Sequence, residues 1–231
     1  MADLKPQIKH WLNVLSGKSA FIRVEDHRDK VWYGSDYGGF YVDPSQIPEE
    51  AIVYSFGIGQ DISFDKAILS HHRAEVFGFD PTPKSIAWIA EEAVPENFHF
   101  FPFGLGVETG MVRFNLPKNK SHVSGSVHAH SHVNSKDCVD VVLKSFKDIV
   151  GELGHSSIDV LKMDIEGSEF SVMESVLNSG VNIGQIVVEI HEKFFDDGKK
   201  RVKRFLELLK AHNYVVFGIS DTYQEVSFIK R

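Results

Sequence analysis

An apolar run over residues 51–56 breaks at Gly57 and Gly59, and an apolar-periodic segment follows at once over residues 62–69. That order predicts a strand, a tight turn and a helix. No other stretch constrains the chain as strongly, because such a turn presents backbone N–H groups and a helix N-terminus at the carboxyl edge of a sheet. Open α/β folds bind nucleotides there. A second strand-like run, residues 75–79, closes on Asp80, at the spacing where an acid takes a ribose hydroxyl. Together the two elements predict an adenosine-containing cofactor. The dinucleotide fingerprint G-x-G-x-x-G is incomplete, since Ile62 stands three residues after Gly59. Asp61, Ser63 and Asp65 instead surround the turn with carboxylates and a hydroxyl, which repel a pyrophosphate and suit an amino or sulfonium group. S-adenosylmethionine is therefore favoured over NAD.

Strands and helices alternate through the rest of the chain. The pattern predicts an α/β fold with a mostly parallel sheet, helices on both faces, and a terminal antiparallel hairpin over residues 214–219 and 225–229. Upstream, Leu4, Ile8, Trp11, Leu12 and Leu15 recur at helical spacing and predict a short helix packed on the outside of the domain. Residues 20–24 and 31–33 predict two short strands. The glycine- and tyrosine-rich loop over residues 34–43 is placed to fold over a ligand. The expected division is an N-terminal helix and lid-like segment over residues 1–50 and a cofactor domain over 51–231. A strand pair turning at Glu108, Thr109 and Gly110 is expected next, then a long loop over 119–135 and a helix over 144–153.

At 231 residues one domain with a full core is expected. The net charge is −7 and the longest basic run is Lys199 to Arg201, on the solvent face of a predicted helix, so a nucleic-acid groove is not expected. Cys138 is the single cysteine, which excludes an internal disulfide. No apolar run approaches the length of a membrane span and the N-terminus is too polar for a signal peptide, so a soluble, cytoplasmic protein is expected.

A second site-like stretch is LKMDIEGSEFSVM. Ser168 is placed to cap a helix, and the helix dipole accounts for Glu169 in its first turn. Asp164 has no such explanation: it ends an apolar strand and projects at the same sheet edge as Gly57 and Asp80. The next strand ends IVVEIHE, where Glu189 and His191 share one side. Asp164, Glu189 and His191 could serve as a general base with its orienting acid or hold a divalent cation, or they could form a buried network bracing the sheet edge. His128, His130 and His132 alternate; on a strand they would align like a zinc site, whereas the Ser-rich surroundings read as a loop that could touch an acceptor.

On these residues the chain resembles the FkbM-type methyltransferases, a branch of the class I S-adenosylmethionine-dependent enzymes, from about residue 52 onward. LKMDIEGSE is similar to the family signature through Lys162, Asp164, Glu166, Gly167 and Glu169. VFGFDPTP, with Asp80 and Pro81, resembles the second strand, Asp80 in the ribose-binding place. FPFGLGVETGMVRF, with Phe103, is similar to the segment that closes around adenine, and VVEIHEKF to the strand ending near the acceptor. In the first motif Ser55 stands where most members carry an acid. SFGIGQDISFD, preceded by Asp36, Gly38, Gly39 and Phe40, is similar to a subgroup in which Asp61, assisted by Ser63, would receive the methionine amino group. The resemblance implies a Rossmann-like class I methyltransferase fold with Gly57, Gly59, Asp61, Ser63, Asp80, Pro81, Phe103 and Asp164 around the cofactor. It also implies O-methylation of a small-molecule or glycan acceptor, with His191 or Asp164 removing the hydroxyl proton.

Overall fold

The computed structural model describes residues 6–117 and 133–231. The chain opens with α1 (Pro6–Leu15) and an antiparallel ribbon of β1 (Val31–Tyr33) and β2 (Phe40–Val42). Then come β3 (Ala51–Phe56), α2 (Ser63–His71), β4 (Ala74–Phe79), α3 (Pro83–Glu91), β5 (Phe98–Phe101), β6 (Gly104–Gly106) and β7 (Gly110–Pro117). The second half runs β8 (Val133–Ser145), α4 (Phe146–Leu153), β9 (Ser157–Met163), α5 (Glu169–Leu177) and β10 (Asn182–Glu189). It ends with α6 (Gly198–Ala211), β11 (Tyr214–Ile219) and β12 (Glu225–Lys230).

Seven strands form the central sheet in the order β5-β4-β3-β9-β10-β12-β11. All neighbours are parallel except β12, which runs antiparallel to β10 and β11. A central parallel strand is covered on both faces and so reads as a continuous apolar run. In β3, AIVYSF, every residue but Ile52 is buried. One face packs Tyr54, Leu161 and Val188 against Ile149, Val172 and Phe205 of α4, α5 and α6. The other packs Val53, Val160 and Val187 against Phe64 and Ile68 of α2 and Phe40 and Val42 of β2. Each such side chain contributes roughly 1.5–3 kcal/mol on burial. Gln185 ties the ribbon to the sheet, accepting the Asp43 N–H at 2.8 Å and donating to the Asp43 carbonyl at 3.0 Å.

Three expectations are corrected. Residues 20–24 form no strand: Ala20 and Ile22 are buried, as on a strand face, but no ladder pairs them, and only Glu25 and Asp26 donate onward to Val216 O. β6 and β7 do not form a hairpin, because β8, unexpected from its polar start VNSKD, lies between them in a sheet of order β6-β8-β7. α4 begins at Phe146, where Ser145 Oγ accepts the Asp148 N–H. α1 forms as expected, but Ile8, Trp11, Leu12 and Leu15 are exposed rather than packed inward. Among the described residues no helix is long and apolar enough to cross a membrane.

Candidate active site

Gly57 ends β3 at φ +76°, and a Cβ there would lie 1.7 Å from the Asp164 carbonyl oxygen. Only glycine lets the ends of β3 and β9 meet so closely. Lys162 explains its place in the signature at this point: buried, it donates from Nζ to Gly57 O at 2.8 Å and holds the turn from beneath. Beyond the turn, the Gly59 N–H donates to Asp80 Oδ2 at 2.9 Å, while the Thr82 N–H, at 2.8 Å, and the Thr82 hydroxyl donate to Oδ1. Burial lifts the Asp80 carboxyl above its usual range, and the donors from Thr82, Gly59 and Ser85 pull against that rise. Three donors on two oxygens leave room on Oδ2 for one more, which a sugar hydroxyl can fill.

An open, largely apolar cleft lies at this edge. Gly57, Gly59, Asp80, Pro81 and Asp164 line it, as the sequence predicts, together with Thr82, Glu166 and Ser168. Its apolar wall is Leu105, Phe114 and Leu143, one from each strand of the small sheet. Leu105 and Phe114 fall in the FPFGLGVETGMVRF segment that resembles the family's adenine-closing piece, whereas Leu143 on β8 had no motif and only its VVL run hinted at burial. Asp61, Ser63 and Phe103 do not line this cleft. Phe103 packs on Phe79 and Phe101 and under Lys144 Nζ.

Asp61 and Ser63 hold the N-terminal loop down on the glycine turn. Asp61 Oδ2 accepts the Ser35 hydroxyl at 2.7 Å, Oδ1 accepts the Ser63 N–H at 2.7 Å, and Ser63 Oγ accepts the Ser35 N–H at 2.7 Å. Burial would raise the Asp61 carboxyl, yet the donors from Ser35 and Ser63 outweigh it and hold the group below the usual range. The loop tip bears Tyr37, 81% exposed, whose phenol is pushed up first by the surrounding protein and then by Asp164, Glu189, Glu166 and Asp61. The loop thus faces the acidic end of the site.

That end is built from three segments. Asp164 follows β9, Glu166 takes the left-handed conformation (φ +55°) in the DIEG turn, and Glu189 ends β10. His191, 7% exposed, sits among them: Nε2 is 3.5 Å from Glu166 Oε2, 3.7 Å from Asp164 Oδ1 and 3.8 Å from Glu189 Oε1. Nδ1 donates to Glu169 Oε1 at 3.0 Å, and the same oxygen accepts the Ile165 N–H at 2.9 Å. Glu169, attributed to the helix dipole from the sequence, is 1% exposed and anchors the histidine instead. Its position in the family signature was the signal. Burial opposes a charge on His191, but Glu169 first, then Asp164 and Glu189, hold its pKa well above the ordinary value. Burial and the Asp164 charge push the Glu189 carboxyl up to about 9. These carboxylates favour the protonated ring, which donates from both nitrogens. Asp164, Glu169 and His191 offer ligand atoms within 4.8 Å of one another, but a metal would have to displace the proton on the ring. His128, His130 and His132 lie outside the described residues.

A family model described as the methyltransferase FkbM domain matches residues 35–216. The chain belongs to the FkbM methyltransferase family. The protein named "Probable methyltransferase-like protein 24" of Homo sapiens is 27% identical over 182 residues, covering 76% of this chain and 43% of that protein. The Rattus norvegicus protein of the same name is 26% identical over 182 residues and 44% covered. This FkbM chain thus spans less than half the length of these two relatives. Among solved structures, fibrillarin of Aeropyrum pernix in complex with natively bound S-adenosyl-L-methionine has 10% identity and a TM-score of 0.45, covering 90% of this chain and 83% of that one. The Methanococcus jannaschii fibrillarin pre-rRNA processing protein has 13% identity and a TM-score of 0.45, covering 91% and 85%. The Rossmann-like class I methyltransferase arrangement, a parallel sheet with a C-terminal antiparallel hairpin, is the one this FkbM chain adopts.

Proposed function

We propose that this FkbM protein is an S-adenosylmethionine-dependent O-methyltransferase acting on a hydroxyl group of a sugar or glycan. The observation that carries the proposal is one continuous cleft lined by the Gly57–Gly59 turn, Asp80, Asp164 and Glu166. The cofactor ribose meets the open lone pair of Asp80, the base lies against Leu105 and Phe114, and the sulfonium reaches the acidic end, where negative charge suits it. Gly57, Gly59 and Pro81 shape the floor.

Methyl transfer is an in-line displacement at carbon, so the protein contributes mainly by aligning acceptor oxygen, methyl group and sulfur. The acceptor hydroxyl must also lose its proton. Asp164, which lines the cleft, takes that proton. His191 is the positioning residue: anchored by Glu169 at 3.0 Å, it sits beside Asp164 and Glu166 and offsets their negative charge. Asp61 and Ser63 act one step back, pinning the Tyr37 loop as a lid over the acceptor. The proposed step uses no divalent cation; one bound by Asp164, Glu169 and His191 would first have to displace a proton from the ring.

Calorimetric titration with S-adenosylhomocysteine and with NAD tests the cofactor: micromolar binding of the first alone is expected, and binding of neither would leave a scaffold protein. A labelled methyl donor offered with free and polymer-linked monosaccharides, with and without chelator, tests the reaction. Turnover lost on chelation would overturn the metal-free step. Asp164→Asn should abolish turnover while sparing homocysteine-cofactor affinity, and unaltered turnover would remove Asp164 as base.

A further inference from the structure

α1 carries Ile8, Trp11, Leu12 and Leu15 at i, i+3, i+4 and i+7, one apolar stripe of a helix. The stripe faces away from the domain, with exposures of 47%, 46%, 52% and 79%. The helix is seated by other residues: the His10 ring stacks on Tyr223 with centroids 3.8 Å apart and planes 5° off parallel, and Asn13 and Val14 are half-buried. Phe21, 52% exposed, extends the stripe, its ring 5.7 Å from that of Trp11. A contiguous exposed apolar patch of this kind marks an interaction surface.

Its border is basic, on a chain whose net charge is −7. Phe21, Lys199, Lys200 and Lys203 line one shallow groove together with Asp196 and Asp197, and Lys199 Nζ lies 3.7 Å from where a Cβ on Gly17 would sit, just past the end of α1. Asp197, the nearest acid in sequence, is occupied by Arg201 at 2.6 Å. Among the described residues no carboxylate lies within ion-pair distance of Lys199, Lys200 or Arg204. The first turn of α6 adds the positive end of its dipole. An aliphatic and tryptophan ridge rimmed by Lys199 and Lys200, with Lys203 paired to Glu207 at 3.8 Å beyond them, matches the chemistry of a bilayer interface with anionic headgroups.

We propose that α1, Phe21 and the basic start of α6 form a docking surface for an anionic lipid bilayer. The apolar stripe enters the headgroup boundary and Lys199, Lys200 and Lys203 meet the lipid phosphates. Docking also orients the enzyme. Tyr223, which seats α1, belongs to the β11–β12 turn, and its neighbour Gln224 donates to Glu189 Oε1 at 3.0 Å. The acceptor end of the cleft is thereby held toward the membrane side.

The test is co-sedimentation of the full chain with phosphatidylcholine vesicles, with and without about 30% phosphatidylserine. The wild-type chain should pellet with the anionic vesicles and stay soluble with phosphatidylcholine alone. Each lysine at the surface contributes about fivefold, so Lys199→Gln with Lys200→Gln should weaken binding on the order of 25-fold. Leu12→Glu with Leu15→Glu should abolish it. Both double variants alter exposed side chains and should keep S-adenosylhomocysteine binding, which reports that they fold. Wild type remaining in the supernatant, equal pelleting with neutral vesicles, or undiminished binding of the leucine variant would overturn the proposal. So would a dimer by light scattering that Leu12→Glu with Leu15→Glu dissociates, since the patch would then belong to a second copy.

Discussion

The two glycines of the first turn share a left-handed backbone but differ in what surrounds them, and alanine at each should separate strain from collision. At Gly59, φ is +54° and nothing lies within 4 Å of an added Cβ. Gly59→Ala therefore meets only the left-handed penalty of roughly 1–2 kcal/mol, partly offset by about 0.4–1 kcal/mol from a stiffer unfolded chain. The Gly59 N–H to Asp80 survives the change. At Gly57 the same penalty applies, and the Cβ would also meet the Asp164 carbonyl oxygen at 1.7 Å, backbone against backbone. Neither atom can rotate away, so the ends of β3 and β9 must part. Two hydrogen bonds cross that junction, Asp164 N to Phe56 O at 3.0 Å and Lys162 Nζ to Gly57 O at 2.8 Å, and a third, Gly57 N to Phe79 O at 2.9 Å, ties the turn to β4. At about 1 kcal/mol each, their loss brings the cost of Gly57→Ala to roughly 4 kcal/mol or more, against about 1 kcal/mol or less for Gly59→Ala. Urea unfolding reads the difference as a midpoint shift. Titration with S-adenosylhomocysteine should show Gly57→Ala without measurable binding, since the same movement displaces the Gly57–Gly59 turn that lines the cleft. Equal midpoints for the two variants would refute the close approach of β3 and β9 on which the site depends.

Two further outcomes follow from the charged groups. Glu189 and His191 both have folded pKa values raised above their ordinary 4.5 and 6.5, so the stability they add is complete below those values and is lost as pH climbs through the folded ones. The melting temperature should fall from about pH 7 to about pH 9.5, and Glu189→Gln should flatten that fall; a melting temperature constant or rising across the window would contradict the buried acid–histidine arrangement. Asp80→Asn removes the charge that receives the Gly59 and Thr82 donors, at about 1.5–3 kcal/mol for a charged acceptor, so calorimetry should show S-adenosylhomocysteine binding weakened roughly 10- to 100-fold. Unchanged affinity would dissociate Asp80 from the cofactor.

Periodicity alone was enough for the sheet's long strands and for most helices, because a parallel strand buried on both faces and an amphipathic helix leave different apolar spacings. β8 escaped because its first half is polar and its pairing is with strands remote in sequence. The separation of β6 from β7 escaped for the same reason: a turn at Glu108 to Gly110 is local, but which strand fills the space between is not. At the site, Gly57, Asp80 and Asp164 were visible because each ends an apolar run. Glu169 was not, since an acid in a helix's first turn already has a sufficient local explanation.

By itself the sequence determined that strands and helices alternate, that chemistry-bearing residues fall at strand ends, and that the family signature lies at Lys162 to Glu169. These are short-range matters of spacing and residue type. Only the tertiary structure decided that Lys162 supports Gly57, that Asp61 serves the loop rather than the cleft, and that His191 sits among Asp164, Glu166, Glu169 and Glu189. Each of those depends on what surrounds a group in space, because burial and neighbouring charge set the state of a titratable side chain and its own sequence neighbours do not.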